Sequence, residues 1–456
     1  MDYESRHVKW YWLVLFTLYS AGVVYLLFES NPFLYPHHEL RAALTAGANA
    51  RLQTIPSAPA VSDKAGNPTF YARYGFERNA MDSASAPRPK DFEEFEKHAV
   101  DFGIPDFKPE HIVGDASGFY LSGRSPWVVA LGLDGKVRWK YKFGGAISEK
   151  SVAPVLIDQA HAYVIHPAGE VLALNKISGE IAWLIDTHTE TVAEPFFWNN
   201  QLVMPIKGQP TGVQLVLINK LTGQRAETSP KLEIKPGFQL ARASANLLVA
   251  TVDNKVVGID PTAWTVAWSQ TLTDPVKGPA SIADGQVFVA TLGAKILKLD
   301  ATKKGKIDWE LDLEKAAASP VAYLPIMHKL AVLDSSGALV VLDAKTGKSL
   351  WRYAIENRNT LTETWSARLS AKHIEEFKMD WLHKGWVIWS PCGERRFCVY
   401  TPGKGQLISR APMSGDILAL PLQLEKRWVF LLRHKPGQYL VSHVVEANEI
   451  KRLRIQ

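Results

Sequence analysis

Residues 328–351, HKLAVLDSSGALVVLDAKTGKSLW, contain the pattern that decides the fold of this chain. Apolar runs alternate with two short polar turns, and each turn holds a glycine, which tolerates the positive φ angles that tight turns need. Asp343 opens the second turn, where a carboxylate can accept hydrogen bonds from backbone N–H groups. A tryptophan follows that turn and supplies a large ring to bury. The stretch therefore predicts three consecutive strands, Leu330–Leu333, Ala338–Leu342 and one that begins at Ser349.

The second turn recurs along the chain as a glycine followed four residues later by a tryptophan. Four copies keep both residues, and they are Gly135 with Trp139, Gly179 with Trp183, Gly305 with Trp309 and Gly347 with Trp351. Trp268 keeps the ring with Trp264 at the glycine position, while Gly223 and Gly405 keep the glycine without the ring. A weak eighth copy falls at position 449. The intervals between successive turns are 44, 44, 41, 41, 42, 58 and 44 residues, so one insertion interrupts a period of about 42.

Another apolar run precedes each three-strand unit, as at Val152–Ile157 and Pro320–Leu324. Each period then holds four strands, and four strands in about 40–45 residues are the signature of a propeller blade. One blade cannot bury both faces of its sheet, so neighbouring blades must cover them, and the tryptophan fills the wedge between two sheets. The prediction is an all-β fold in which residues 110–456 form an eight-bladed β-propeller of four-stranded blades. Seven blades are the alternative if the last copy is incomplete.

The repeat ALNKISGEIAW at residues 173–183 resembles that of the quinoprotein-type β-propellers. This superfamily includes quinone-dependent alcohol dehydrogenases and also BamB, the non-enzymatic lipoprotein of the outer-membrane β-barrel assembly machinery. The resemblance covers about three quarters of the chain. It implies the propeller fold but no particular reaction, because the repeated residues are structural and one fold hosts many functions.

The dehydrogenases of this superfamily hold their quinone with Ca²⁺, a catalytic aspartate, a stacking tryptophan and a disulfide between adjacent cysteines. None of these can be assigned to residues of this chain. The inner strands instead offer Trp198, Arg242, Tyr323, Lys378 and Asp380, a mixed set without convergent carboxylates. We therefore expect a non-catalytic scaffold that binds subunits of an envelope complex, with no cofactor, metal site or catalytic residue. The alternatives are a divergent quinone-dependent oxidoreductase and a sensor that binds cell-wall polymers.

The charge distribution and the cysteine content argue against nucleic-acid binding and against a cysteine metal site. The chain carries 52 Lys and Arg against 46 Asp and Glu, a net charge of +6 that is spread over turns and strand ends. Because no basic run is present, we do not expect a nucleic-acid partner. Cys392 and Cys398 flank a predicted hairpin turn and can form a local disulfide if the domain is exported, or remain two thiols if it is not. Their spacing does not fit a metal site.

Residues 10–28 form a run without a charge that is long enough to cross a bilayer. Aromatic residues begin the run, as at a membrane interface, and its length favours an uncleaved transmembrane helix over a cleaved signal peptide. Arg6 and Lys9 precede it, so the positive-inside rule predicts a cytoplasmic tail at residues 1–9 and a single-pass protein of a bacterial inner membrane. Residues 29–109 are then expected to be a periplasmic linker with a short helix, and the propeller to be periplasmic.

The long interval of 58 residues predicts an insertion of about sixteen residues near 356–376. Insertions in propellers fall in loops on one face, and loops commonly carry binding residues. This segment is therefore the candidate partner-binding element, with a tolerated surface insertion as the alternative. Its candidate residues are Trp365, Arg368, Lys372 and His373.

Overall fold

The computed structural model describes the repeat region and one short strand that precedes it. The described residues are 52–54, 107–143, 152–208, 212–226, 231–244, 246–324, 327–354, 365–368, 386–393, 395–413, 415–419, 422–424, 427–435 and 438–445. The expected cytoplasmic tail, transmembrane helix and short linker helix lie outside this set. Within it, no helix is long and apolar enough to span a bilayer. The described chain is all-β, with a short 3₁₀ turn at Ala301–Lys303.

The strands, numbered in chain order, gather into eight antiparallel sheets. Sheet 1 contains β1 Leu52–Thr54, β2 Pro109–Asp115, β3 Gly118–Gly123, β4 Trp127–Leu131 and β5 Val137–Lys142. Sheet 2 contains β6 Leu156–Ile157, β7 His161–Ile165, β8 Glu170–Asn175 and β9 Ile181–Asp186. Sheet 3 contains β10 Phe196–Trp198, β11 Gln201–Lys207, β12 Val213–Asn219 and β13 Lys231–Leu232. Sheet 4 contains β14 Gln239–Ser244, β15 Leu247–Val252, β16 Lys255–Asp260 and β17 Thr265–Thr271.

The second half of the described chain continues the series. Sheet 5 contains β18 Ser281–Ala283, β19 Gln286–Ala290, β20 Lys295–Asp300 and β21 Lys306–Asp312. Sheet 6 contains β22 Ala322–Leu324, β23 Lys329–Leu333, β24 Ala338–Asp343 and β25 Ser349–Ala354. Sheet 7 contains β26 Trp365–Arg368, β27 Trp386–Pro391, β28 Arg396–Tyr400 and β29 Leu407–Pro412. Sheet 8 contains β30 Asp416–Ile417, β31 Leu422–Leu424, β32 Arg427–Lys435 and β33 Gln438–Val445.

Sheets 2 to 7 each consist of four consecutive strands in chain order, which is the meander that the repeat predicts. The first strands of neighbouring sheets contact one another, as β2 contacts β6 and β18 contacts β22, so we call the first strand inner and the fourth strand outer. In sheet 1, β1 is added antiparallel to the outer edge of β5. In sheet 8, β30 and β31 both pair with β32, and β33 pairs with the other edge of β32. The residues around the weak eighth repeat at position 449 lie outside the described set.

The first and last sheets share one hydrophobic core. Leu121 and Val129 of sheet 1 belong to the same cluster as Val429 and Leu431 of sheet 8. All four side chains are fully buried, so each end of the series covers a face of the other. A sheet packed on both faces by its neighbours is what a propeller requires. The four-stranded antiparallel sheets and this shared core are therefore consistent with the predicted β-propeller.

The outer strand of six sheets carries the same irregularity. In sheet 1, Val137 lies opposite Leu131 and Trp139 lies opposite Ala130, which leaves Arg138 as one extra residue. A bulge of this kind bends a strand and increases its twist. Equivalent register shifts occur in sheets 2, 4, 5, 6 and 7. In five of these sheets the residue that follows the bulge is the repeat tryptophan, and in sheet 7 it is Ser409.

Each repeat tryptophan packs against the turn glycine of the next sheet. A Cβ atom built on Gly179 would lie 2.7 Å from the ring of Trp139, and one built on Gly223 would lie 2.6 Å from the ring of Trp183. Both glycines have positive φ angles, 76° and 68°, so the turn needs glycine for its conformation as well as for space. The same contact joins Trp268 to Gly305, Trp309 to Gly347 and Trp351 to Gly405.

The seam between sheets 3 and 4 is filled differently, because the repeat places Glu227 where the tryptophan of sheet 3 would stand. Trp264 occupies the turn-glycine position of sheet 4 with a left-handed φ of 53°. Its ring is 6.2 Å from the rings of Phe196 and Trp198 in sheet 3, measured between centroids. A left-handed backbone costs a non-glycine residue about 1–2 kcal/mol. The burial of an indole in this seam offsets that cost.

Candidate partner-binding site

The inner strands of sheets 3 and 4 bring together two of the residues noted in the sequence. The guanidinium carbon of Arg242 lies 4.9 Å from the ring centroid of Trp198, which is a cation–π contact. Trp198 is buried against Trp264, while Arg242 is exposed. The pair therefore presents the positive charge of Arg242 above the ring of Trp198. Such a group can accept a carboxylate from a partner, and it offers no redox or acid–base chemistry.

Tyr323, on the inner strand of sheet 6, stacks on Phe288 of sheet 5 with ring centroids 5.6 Å apart and planes within 4°. Its Oη lies 3.0 Å from Nδ1 of His328. Burial raises the pKa of the Tyr323 phenol, and the negative charge of Asp284 raises it further. The phenol therefore stays protonated at neutral pH and cannot act as a base. Lys378 and Asp380, the other inner-strand candidates, lie outside the described residues.

A buried ion pair between sheets 1 and 2 was not singled out in the sequence. Lys176 Nζ lies 2.6 Å from Asp115 Oδ2, and the two side chains are 4% and 7% exposed. Tyr120 Oη donates a hydrogen bond to the backbone oxygen of Lys176 at 3.2 Å. Burial raises the pKa of the Tyr120 phenol, and the charge of Asp115 adds to the increase, although the bond to Ser117 opposes it. The charges and hydrogen-bonding groups of these residues are paired with one another, so they stabilise the contact between the two sheets. They leave no side chain free for a reaction.

The same network recurs between sheets 2 and 3. Tyr163 Oη lies 2.8 Å from Asp158 Oδ2 and 3.1 Å from the backbone oxygen of Lys220, and Lys220 Nζ lies 3.4 Å from the same carboxylate oxygen. Each of the three residues follows its counterpart in the first network by 43 or 44 residues. That spacing is the sequence signal by which both networks could have been found.

Sheet 7 contains the cysteine pair. Cys392 and Cys398 form a disulfide across the hairpin that joins β27 to β28, with their Cα atoms 5.8 Å apart. Both residues are buried in a core shared with sheet 6. At the tip of this hairpin, Arg395 has a φ of 51°. The disulfide therefore fixes the base of a turn that carries an arginine in a constrained backbone conformation.

Arg395 reaches across to sheet 8. Its Nε lies 3.1 Å from Asp416 Oδ1, and Arg433 Nη2 lies 3.0 Å from Asp416 Oδ2. Burial alone would raise the pKa of Asp416, but the hydrogen bonds from Arg433 and Arg395 outweigh it and lower that pKa. Two cations thus hold one inner-strand carboxylate in its ionised form. The group has an excess positive charge and no free carboxylate for a metal ion.

The candidate partner-binding residues lie on and after the inner strand of sheet 7. Trp365 and Arg368 are the first and last residues of β26, while Lys372 and His373 lie outside the described residues. The connection from β26 to β27 spans residues 369–385, whereas the other described sheets join inner and second strands through two to four residues. The segment 356–376 expected to hold the insertion overlaps this connection only over residues 369–376.

The quinoprotein resemblance implies a quinone with Ca²⁺, and the side chains test whether that group fits. Among the described residues, no three His, Cys, Asp or Glu side chains approach closely enough to hold a metal ion. The carboxylates on described inner strands that form ion pairs are each held by a cation: Glu110 by Arg124, Asp115 by Lys176, and Asp416 by Arg395 and Arg433. The described residues therefore do not fit a Ca²⁺–quinone site.

Comparison with protein families gives a match over most of the propeller region. Residues 96–225 and 213–374 match the family described as outer membrane protein assembly factor BamB. Among solved structures, BamB from Moraxella catarrhalis superposes with a TM-score of 0.53 at 14% identity, covering 75% of this chain and 98% of that one. Identity at this level shows a shared fold, and the family match adds the sequence relationship.

Other similar proteins include Sqt1 and two dehydrogenases. Sqt1 from Saccharomyces cerevisiae gives a TM-score of 0.58 at 12% identity over 76% of this chain and 98% of that chain. The quinohemoprotein alcohol dehydrogenase of Comamonas testosteroni gives 0.56 at 12% identity over 81% and 78%. A polyvinylalcohol dehydrogenase of a Pseudomonas species is 29% identical over 107 residues, which are 22% of this chain and 17% of that protein. These similarities show a shared fold, and a shared fold does not indicate which function this chain has.

Proposed function

Because this chain belongs to the family described as outer membrane protein assembly factor BamB, we propose that it is an eight-bladed, non-catalytic propeller scaffold that binds protein subunits of an envelope complex. The observation that carries the proposal is the family match across residues 96–374. Two features of the described residues support it: the repeat side chains are used in packing between sheets, and no metal-binding group is present among them.

The scaffold role is tested by purification of the tagged full chain from its native membranes in mild detergent. The expected result is that the same envelope proteins co-purify in a fixed ratio at several expression levels. A chain that is recovered alone in every detergent would overturn the proposal. The same experiment with the tag on an unrelated membrane protein controls for non-specific recovery.

We further propose that residues 10–28 anchor the chain in a bacterial inner membrane, with the N-terminus in the cytoplasm and the propeller in the periplasm. The disulfide between Cys392 and Cys398 supports this location, because disulfides persist in oxidising compartments. The expected result of protease treatment of spheroplasts is digestion of the propeller region with the first residues protected. Recovery of a mature protein that begins after residue 30 would contradict the anchor.

The partner-binding element is proposed to be the connection after β26, together with Trp365 and Arg368. This connection has far more residues than its counterparts in the other described sheets, and segments that connect the strands of a rigid scaffold commonly carry binding function. Replacement of residues 370–384 by an Asn-Gly turn should abolish recovery of at least one partner without changing the unfolding midpoint. Unchanged recovery of every partner would assign the segment to a tolerated insertion.

A second candidate function is a quinone-dependent oxidoreductase, which the similarity to polyvinylalcohol dehydrogenase favours. The described side chains argue against it, because they provide no set of ligands for a metal ion. Titration of the full chain with pyrroloquinoline quinone and Ca²⁺ distinguishes the two functions. The scaffold proposal expects no saturable binding and no dye reduction with alcohols. Tight binding with substrate-dependent reduction would replace the scaffold by an enzyme.

A further inference from the structure

The outer strands of sheets 1 to 7 differ in charge. The outer strand of sheet 4, β17, reads TVAWSQT and carries no charged residue. Each of the other six outer strands carries at least one, and examples are Lys140, Asp186, Lys231, Glu310, Arg352 and Arg410. Charged residues on an exposed edge normally prevent the strand from pairing with another chain. β17 lacks this protection.

β17 is also strongly exposed. Of its seven residues, only Trp268 is buried and Gln270 is half-buried, while the other five are exposed. Val266 is 39% exposed and is one of the few large exposed hydrophobic side chains of the described chain. Within the described residues, β16 is the only strand that pairs with β17. Its outer edge is therefore an uncharged row of backbone hydrogen-bonding groups that no second strand pairs with among the described residues.

The register shows which backbone groups face outward. Leu272 N donates to Asn254 O at 2.7 Å, which makes this pair a hydrogen-bonded pair of the antiparallel ladder. Because such pairs alternate along a ladder, the N–H and C=O groups of Thr271 and Ser269 point away from β16. The Thr271 oxygen accepts a hydrogen bond from the side chain of Gln270 at 3.1 Å, which is compatible with an outward carbonyl. The outward groups of Ser269 and the N–H of Thr271 can thus bond another strand, and the Gln270 side chain must release the Thr271 carbonyl for that strand to pair there as well.

The chain itself shows that the outer strand of a sheet can accept an added strand, and it does so at β5, a strand that carries charges. Leu52–Thr54, an uncharged extended segment, pairs antiparallel with the outer edge of β5, with Gln53 opposite Lys140. A blade of this propeller therefore tolerates a fifth strand at its rim. From the open edge of β17, its lack of charge and this added strand, we propose that the outer edge of β17 binds an extended, uncharged segment of an envelope protein as an antiparallel fifth strand. The identity of the partner as an envelope protein rests on the proposed function.

Two matched proline variants test this edge. Thr271 and Asp312 both stand three residues after a repeat tryptophan. The residue after each one donates its N–H to the neighbouring strand, Leu272 to Asn254 O and Leu313 to Ala294 O. The N–H groups of Thr271 and Asp312 therefore point outward. A proline at such a position removes no hydrogen bond of the sheet itself. Thr271→Pro should therefore block an added strand on β17, while Asp312→Pro alters the charged edge of β21 and serves as the control.

The measurement is photo-crosslinking of the full chain in native membranes, with benzoylphenylalanine at Val266. The expected result is one crosslinked envelope protein, attached through an uncharged segment, with a yield that falls about tenfold or more in Thr271→Pro and is unchanged in Asp312→Pro. Ser269→Lys places a charge on the same edge and should also reduce the yield, which covers the case that the proline variant does not fold. Equal unfolding midpoints verify the fold of each variant.

Three outcomes would overturn the proposal: no crosslink, a crosslink to a second copy of this chain, or a yield that Thr271→Pro and Ser269→Lys leave unchanged. These outcomes are separate from failure of the scaffold role. If the tagged Thr271→Pro chain still recovers all its partners, the scaffold stands and the β17 edge is not its binding site. If the parent chain recovers none, the scaffold itself fails.

Discussion

The indole of Trp183 in sheet 2 lies against Gly223 in sheet 3, where a Cβ atom would come within 2.6 Å of the ring. The indole Nε1 donates to the backbone oxygen of Lys220, in the same turn, at 2.9 Å. One ring thus fills the wedge between two sheets and pairs a backbone acceptor that the turn leaves free. The packing of a tryptophan on a turn glycine occurs at five seams between successive sheets, so the position of these sheets depends on a turn of the next sheet.

Gly223→Ala should destabilise the chain in two ways. Its φ of 68° costs an alanine about 1–2 kcal/mol, and the added methyl group must displace the buried ring of Trp183 at a further cost of about 1–3 kcal/mol. Gly237→Ala is the matched control, because Gly237 has a φ of 82° and nothing lies within 4 Å of its Cβ position. Urea unfolding should show a loss of about 3 kcal/mol for Gly223→Ala and about 1 kcal/mol for Gly237→Ala. Equal losses of unfolding free energy for the two variants would mean that the ring of Trp183 moves aside at no energetic cost.

Trp183→Phe should cost more than Trp268→Phe, although both remove the same part of a buried indole. Trp183 Nε1 donates to Lys220 O, whereas Trp268 Nε1 is buried without a hydrogen-bond partner. The first substitution loses a hydrogen bond and the second removes an unsatisfied donor, so the free energies of unfolding should differ by about 1–2 kcal/mol. The comparison requires urea unfolding of the two single variants. A larger loss for Trp268→Phe would contradict the assignment of these bonds.

The repeat could be derived from the sequence because its spacing is a one-dimensional property. Gly179 and Trp183 stand at a fixed separation, so the period, the four strands and the inter-sheet wedge follow without coordinates. The function of Trp264 could not be derived in this way. Its ring fills a seam by reaching to Trp198, 66 positions earlier in the chain, and only the packing of two sheets brings them together.

The sequence predicted the candidate partner-binding segment around β26 less completely than it predicted the fold. The interval between two turns gives only the total number of extra residues, so it could not divide them between the links on either side of β26. The ion pair of Asp115 with Lys176 joins residues 61 apart, so no local pattern indicates it, and only the recurrence of both residues 43 or 44 positions later marks it in the sequence. The proposal for β17 needed its composition, which the sequence shows, and the absence of a second pairing strand among the described residues, which only the sheet shows.

The disulfide of sheet 7 provides a third test. Cys392→Ala with Cys398→Ala should lower the free energy of unfolding by about 2 kcal/mol, the value expected when a loop of a few residues is no longer closed in the unfolded chain. Urea unfolding of the parent with a reducing agent should approach the value of the double variant. The reducing agent should leave the double variant unchanged, which makes that variant its own control. A parent that does not respond to reduction would show that the purified chain carries two thiols.

Acid stability tests the network between sheets 2 and 3. Burial alone would raise the pKa of Asp158, but hydrogen bonds from the backbone of His161, from the Tyr163 hydroxyl and from the backbone of Ala160, with the charge of Lys220, outweigh it and lower that pKa. The folded chain therefore releases this proton more readily than the unfolded chain, whose aspartates have a pKa of about 3.9. The stabilisation is fully present above that value and is lost as the pH falls through the lower pKa of the folded state.

Asp158→Asn should accordingly be less stable than the parent at pH 7 and should lose less further stability between about pH 5 and pH 2. Tyr163→Phe removes one of the bonds that lower the pKa and keeps the carboxylate, so its acid slope should lie between those of the parent and Asp158→Asn. Urea unfolding at a series of pH values gives all three slopes. If the parent and Asp158→Asn lose stability in parallel as the pH falls, the carboxylate is not the group that joins the two sheets in its ionised form.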